Sequence, residues 1–242
     1  MARLIQSLAG TLLMAAAGLA GAAGEAAGGV TPEVKTEHSM KVVVLGITGR
    51  AGSRLGQELL DRGHQVTGIA RDVIQVPAQP GLTVAPADVA DAERLLPLLQ
   101  GHAAVISATR FEGSDAAGLI ATVKAAQVPR LLVVGGAGSL EVAPGVALID
   151  TPEFPAAYKA EASAGRQFLE VLRAEQALDW TFLSPSALFE PGQRTGTFRL
   201  GLNDLLVDGN GNSSISMEDF AIALVDELEQ PKHSRQRFTV GY

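Results

Sequence analysis

Residues 40–72 read MKVVVLGITGRAGSRLGQELLDRGHQVTGIARD. The stretch opens on an apolar, β-branched run, Val42-Val43-Val44-Leu45. Such a run suits a parallel strand buried on both faces. A glycine turn follows, Gly46-Ile47-Thr48-Gly49-Arg50-Ala51-Gly52, and residues 48–60 then read as a helix with apolar Leu55, Leu59 and Leu60. Arg62-Gly63 closes the helix, and a second apolar run spans residues 66–70. Strand, glycine turn, helix and strand make the opening half of a dinucleotide-binding βαβ unit.

The glycines have separate tasks in such a unit. Gly46 permits the tight turn, Gly49 lets a ligand approach the backbone, and Gly52 lets helix and strand lie close. The helix N-terminus offers free amides and a partial positive charge to a pyrophosphate. The spacing is G-x-x-G-x-x-G, not G-x-G-x-x-G. An NAD site usually carries an acidic residue about 20 positions on, for the ribose 2′-hydroxyl. Here Arg71 precedes Asp72 at that point, and Arg50 lies in the turn. A guanidinium suits a 2′-phosphate, so the expected cofactor is NADP, with NAD the alternative. The competing reading makes Arg71 and Asp72 an ordinary solvated pair. Asp88 has two readings of equal standing, a helix cap or an acceptor for the adenine amino group.

The 242 residues are 47% hydrophobic, which allows one substantial core and one domain. The formal charge is −7 and aromatics are 5%, with no basic block, so nucleic acid is not an expected partner. The absence of cysteine excludes disulfides, thiolate metal sites and cysteine nucleophiles. Residues 1–23 have one early arginine, an uncharged apolar run and Ala20-Gly21-Ala22, the pattern of a cleavable signal peptide. Residues 24–39 read as a linker. This predicts an exported or periplasmic protein with no membrane association after cleavage. The alternative is a cytoplasmic protein whose true start is Met40.

Beyond residue 72, apolar runs at 82–85, 103–108, 131–134, 180–183 and 237–240 read as strands. Helical patterns at 92–99, 118–127, 155–175 and 217–229 alternate with them. That alternation predicts an α/β fold, a doubly wound parallel sheet in a single domain over residues 40–242. Ligands then bind at the carboxyl ends of the strands. This places Ser107, Ala108, Ser139 and the glycines beside Ser139 among the pocket candidates, although a lone serine after a strand is commonly a turn residue. Pro155 is expected to open the longest helix, with Tyr158 near its start. Trp180 is read as core, and residues 187–213 as a cover for the substrate. Residues 208–219 partly mimic a calcium loop but lack the glycine at position six and the glutamate at twelve. Ser216 and Asp219 there fit a helix cap. The histidines show no metal-ligand spacing, so no metal is expected.

GITGRAG after a strand, ARD after the second, ADVAD, VISA and RLLVVGGAGSLEV together resemble the atypical short-chain dehydrogenase/reductases. SPSALFEPG and the tail SISMEDFAIALVDELEQPKHSRQRFTVGY narrow the likeness to the single-domain NAD(P)H-binding group. That group is related to flavin (biliverdin) reductase B and to NmrA-like proteins. The resemblance implies a Rossmann fold, with Gly46, Thr48, Gly49, Arg50, Ala51 and Gly52 at the phosphates. It also implies Arg71 at the 2′-phosphate, Asp88 and Val89 at the adenine, and Ser107 and Ala108 beside the nicotinamide ribose. The departure is catalytic. Typical members carry Tyr-x-x-x-Lys, but Tyr158 is followed four residues later by Ala162. Lys159 lies about 100° around a helix from Tyr158 and does not replace that partner. Tyr158 and Ser139 stand as the catalytic candidates, with a packing or surface tyrosine as the alternative. The expected activity is NADPH-dependent reduction of a small electrophile (flavin, quinone or carbonyl). A non-catalytic NADP(H)-binding sensor is the second expectation, and an epimerase or isomerase the third.

Overall fold

The computed structural model describes residues 39–242. The signal-peptide and linker readings of residues 1–38 lie outside the described residues. In chain order the elements begin β1 Lys41–Leu45, α1 Arg50–Asp61, β2 Gln65–Ala70, β3 Leu82–Pro86, α2 Ala92–Leu99 and β4 Ala104–Ser107. Next come α3 Ala116–Ala125, β5 Arg130–Val134, β6 Glu141–Ala143, β7 Val146–Ala147, α4 Lys159–Ala174 and β8 Asp179–Pro185. Last come β9 Leu188–Glu190, β10 Arg199–Gly201, β11 Ser214–Ser216, α5 Met217–Glu229 and β12 Gln236–Gly241. Eight strands form one sheet in the order β10-β12-β8-β5-β4-β1-β2-β3. All neighbours are parallel except the edge pair β10–β12. This is a doubly wound Rossmann sheet with one antiparallel edge strand.

The apolar runs produce this architecture because both sheet faces are covered. Val42 and Val44 of β1 face the layer containing Leu55 and Leu59 of α1 and Phe220 and Leu224 of α5. Val43 and Leu45 face the opposite layer, with Leu95 of α2, Leu119 and Val123 of α3, and Phe168 and Leu172 of α4. Each fully buried side chain of this kind stabilises the fold by about 1.5–3 kcal/mol. Trp180 belongs to the second layer, as expected of a core residue.

Three helices have side-chain caps, from Asp91 to the Arg94 amide, Asp115 to the Gly118 amide and Ser216 to the Asp219 amide. Asp91, not Asp88, therefore caps α2. Asp115 starts α3 two residues earlier than the apolar pattern at residue 118 indicated.

The crossover from β2 to β3 differs from the others in having no helix. Residues 71–81 form exposed turns, with Ile74 84% accessible. A cavity of about 300 Å³ lies between this segment and α1, lined by Ile47, Gly56, Gln57, Val76 and Leu82 among others. No helix among the described residues is long and apolar enough to cross a membrane.

Candidate functional site

The glycine turn follows β1 at the carboxyl edge of the sheet. Gly46 has φ +82°, and a Cβ there would lie 2.7 Å from the Ala108 carbonyl oxygen. A Cβ on Gly52 would lie 2.1 Å from the Gly46 carbonyl oxygen, so α1 abuts the end of β1 only because residue 52 has no side chain. Gly49 is the N-cap of α1 and supplies no side-chain cap. The Gly49 amide donates to the Gly46 carbonyl, and the Ser53 amide to the Gly49 carbonyl. The amides of Arg50, Ala51 and Gly52 have no acceptor among the described residues. Three free donors at the positive end of a 12-residue helix form a seat for an anion.

The other cofactor candidates lie at or just beyond the ends of β2, β3 and β4 on the same carboxyl edge of the sheet, apart from Arg50 at the start of α1. Arg50 and Arg71 are exposed, and neither guanidinium has a partner among the described residues. Asp72 does not pair with Arg71; its carboxylate accepts from the Ile74 amide at 2.9 Å and shapes the loop. Asp88 is exposed and accepts from the Ala90 amide at 3.0 Å. Val89 is half-buried against the core layer of α2, α3 and α4. Ser107 is buried and its hydroxyl bonds to that of Thr109, while Ala108 continues the β4 edge beside Gly46.

A cavity of about 390 Å³ opens beyond β5. The turn Gly135–Ser139 forms one side of it, and Phe111, Phe154, Ala162 and Gly165 are among the residues forming the others. Small residues make the space. Gly138 lies against Ala162, and a Cβ on Gly165 would come within 3.0 Å of the Phe111 ring. Phe111 is held edge-on to Phe168 and stacked on Phe182, with centroids 5.3 and 5.9 Å away. Glu161 fixes the loop bearing Phe111, accepting from the amides of Phe111 at 2.8 Å and Glu112 at 3.0 Å. Arg166 pairs with Asp150 through two 2.9 Å bonds, which hold that carboxyl below its usual range.

Tyr158 lines this cavity and is 66% accessible. It is not on a helix opened by Pro155. Pro155 is extended (ψ 125°), residues 156–158 form a 3₁₀ turn, and α4 begins at Lys159 with Tyr158 as its N-cap. A tyrosine side chain offers no short acceptor to the first amides of the helix, so it projects outward instead of capping. Ser139 lines the same cavity, and the Arg237 guanidinium donates to its carbonyl at 3.3 Å and its hydroxyl at 3.4 Å. The sequence reading did not single out Phe111, Glu161 or Arg237. Arg237 was detectable as a lone charge in the apolar run of the last strand.

Residues 187–213 include β9 and β10. The stretch 191–197 is bound over α1 and α5 by three carboxylates. Glu218 accepts from the Gly192 amide and Arg54, and Asp219 from Thr195, Gly196 and the Tyr242 hydroxyl. Glu58 accepts from Arg194 and Arg62. Burial pushes the Glu58 and Asp219 carboxyls up, but these hydrogen bonds outweigh burial and hold both below the usual range. This part of the segment therefore packs on the α1–α5 layer, and only Ala187 of residues 187–213 lines the cavity. In the calcium-like stretch, Asp208 is occupied by Asn210 and Asn212, and Ser216 caps α5. Among the described residues no cluster of three metal-ligating side chains occurs.

The model of the NAD(P)H-binding family matches residues 46–231, and the chain belongs to that family. It is 45% identical to a Burkholderia pseudomallei protein described as a proposed exported protein, covering 84% of this chain and all of that one at TM-score 0.76. A proposed epimerase from Bacteroides thetaiotaomicron is 42% identical, over 84% and 97% of the two chains, at TM-score 0.81. A proposed NADH-flavin reductase from Streptococcus pneumoniae is 34% identical, over 84% and 99%, at TM-score 0.74.

Proposed function

We propose that this protein is an NADPH-preferring oxidoreductase that reduces a small electrophile of the quinone, flavin or carbonyl class. The carrying observation is the pairing of two features on one sheet edge. One is a helix N-terminus with three free amides beside two unpaired guanidiniums. The other is a largely apolar cavity with a tyrosine at its rim. Gly46, Thr48, Gly49, Arg50, Ala51 and Gly52 hold the pyrophosphate, and Arg71 with Arg50 holds the 2′-phosphate. Asp88 and Val89 border the adenine, and Ser107 and Ala108 the nicotinamide ribose. When bound, the cofactor supplies a hydride, and one proton from solvent or Tyr158 completes the reduced product. The likeness to the proposed NADH-flavin reductase supports this reading. Quinone and flavin acceptors ask little acid catalysis of the protein, in keeping with Ala162 where a lysine partner would stand.

The absence of that lysine also favours a second reading, a non-catalytic NADP(H) sensor. An epimerase is less consistent with Ala162 at the place of the lysine of a Tyr-Lys pair. Export is supported by residues 1–23 and by the likeness to the B. pseudomallei protein; the cofactor then has to travel with the folded chain. Calorimetric titration with NADPH and NADH, followed by turnover of a quinone, flavin and aldehyde panel, tests the proposal. Failure to bind either nucleotide refutes it, and binding without turnover selects the sensor.

A further inference from the structure

Arg237 is a buried cation whose direct partners are all neutral. It is 4% accessible and forms no ion pair among the described residues. Two of its N–H groups donate to the Asn203 side-chain carbonyl at 3.0 and 2.8 Å. The remaining direction is taken by Ser139, through its carbonyl and its hydroxyl. Burial, with Arg173 as a like charge nearby, pulls the Arg237 guanidinium down to about 10 against the opposing pull of the Glu141, Asp204 and Glu170 carboxylates, so it stays protonated at neutral pH. With no carboxylate in direct contact, the N–H groups of this buried cation are satisfied by neutral oxygens, those of Asn203 and Ser139.

The Ser139 hydroxyl oxygen accepts from this cation, and its own proton has no acceptor among the described residues. Ser139 lines the cavity; Arg237 does not. We infer that Arg237 is a positioning residue that makes Ser139 a fixed hydrogen-bond donor toward an oxygen gaining negative charge in the cavity. The guanidinium occupies the hydroxyl lone pair from behind, turns the O–H toward the open side, and strengthens it electrostatically. Ser139 so placed supplies part of what a Tyr-Lys pair supplies in related enzymes. The inference rests on the cavity being the acceptor site, as in the proposed function.

The test needs no turnover. 4-Nitrophenol and its phenolate differ in absorbance, so the ionisation of the bound probe is read directly. The full chain without cofactor should bind the phenolate about tenfold tighter than the phenol, below the hundredfold or more of an ideal oxyanion donor because the bond is long. Ser139→Ala and Arg237→Met should each abolish that preference, the double variant should lose no more than either, and Arg237→Lys should restore part of it. Thermal melting monitors the fold. If Arg237→Met does not fold, Ser139→Ala carries the test alone, since it leaves the guanidinium on Asn203. Phenolate that binds no better than phenol overturns the inference. So does an Arg237→Met loss that persists undiminished in the Ser139→Ala background. Absence of turnover across the acceptor panel sinks the reductase reading and leaves this assignment standing or falling on the probe.

Discussion

Replacing Gly52 by alanine tests whether the glycine turn is a rigid seat or only a permissive loop. The new methyl would meet the Gly46 carbonyl oxygen at 2.1 Å and its carbon at 2.8 Å. Both obstacles are backbone, so no side chain can swing aside. Ordinary contact needs roughly another 1 Å or more, which α1 must supply by moving away from β1. Forced overpacking costs about 1–3 kcal/mol, and the upper end applies here because the obstacle is main chain. Alanine returns about 1 kcal/mol of helix propensity. The net loss is about 2 kcal/mol, or about 4–8 °C in Tm for a domain of this size. The same displacement moves the amides of Arg50, Ala51 and Gly52, so NADPH affinity should fall at least tenfold. Gly49→Ala is the control. Its Cβ has 3.1 Å to the Gly46 oxygen, which asks only a few tenths of an ångström. It should cost about 1 kcal/mol or less as a poorer N-cap, yet still obstruct the phosphates. Denaturant unfolding without cofactor and calorimetry with NADPH separate the two effects. A Gly52→Ala protein as stable as wild type with unchanged affinity would falsify the close-packing argument.

Arg71→Ala should weaken NADPH binding about 10–100-fold, the worth of one charge-assisted hydrogen bond, and leave NADH unchanged by calorimetry. Equal losses for both nucleotides would count against a 2′-phosphate role. Gly165→Ala should push Phe111 into the cavity and raise the acceptor KM several-fold at constant NADPH affinity, and an unchanged KM would contradict this wall. Glu58 and Asp219 have carboxyls held low in the folded state. Their contribution is complete above the unfolded carboxylate range near pH 4 and is lost as pH falls through the folded values. Amide exchange at Thr195 and Gly196 should therefore accelerate, relative to the core strands, below about pH 4. Asp219→Ala, which removes the Oδ1 acceptor of both amides, should expose them already at pH 7, and their continued protection would refute this anchoring.

The fold was legible wherever a segment is buried on two faces or capped by its own neighbours. The runs containing Val42, Leu131 and Phe238 could be nothing but inner strands, and Ser216 marked the start of α5. Short elements whose form depends on distant partners were not legible. The pair β6–β7, the strand β9 and the edge strand β10 depend on registers with β11, β12 and each other. The course of residues 191–197 depends on Glu58, more than 130 positions away in sequence. The glycine turn, the start of α1 and the position of Arg71 could be read because they are local, inside one βαβ unit. The cavity side could be read only in part: Ser139, its neighbouring glycines and Tyr158 were candidates, whereas Phe111, Glu161 and Arg237 come from three further segments with no local signal joining them. The start of the helix expected from Pro155 was misplaced: proline fits a first turn, but Pro155 is extended, residues 156–158 form an exposed 3₁₀ turn, and regular helical hydrogen bonding begins only at Lys159.

The β2–β3 crossover has a consequence for how this lineage can change. Arg71 stands at the root of an exposed segment with no packed helix above it, and of residues 71–81 only Val73 and Val76 rest, half-buried, against a core layer. Under the proposed function, substitutions at the exposed positions Arg71, Asp72, Ile74 and Gln75 would alter what meets a nucleotide ribose while leaving Val73 and Val76 on the core. On that reading, preference between the two nicotinamide dinucleotides is expected to drift at low thermodynamic cost through those exposed positions. Close relatives with the same core are expected to have diverged in that choice more readily than in any property set by the cavity behind β5.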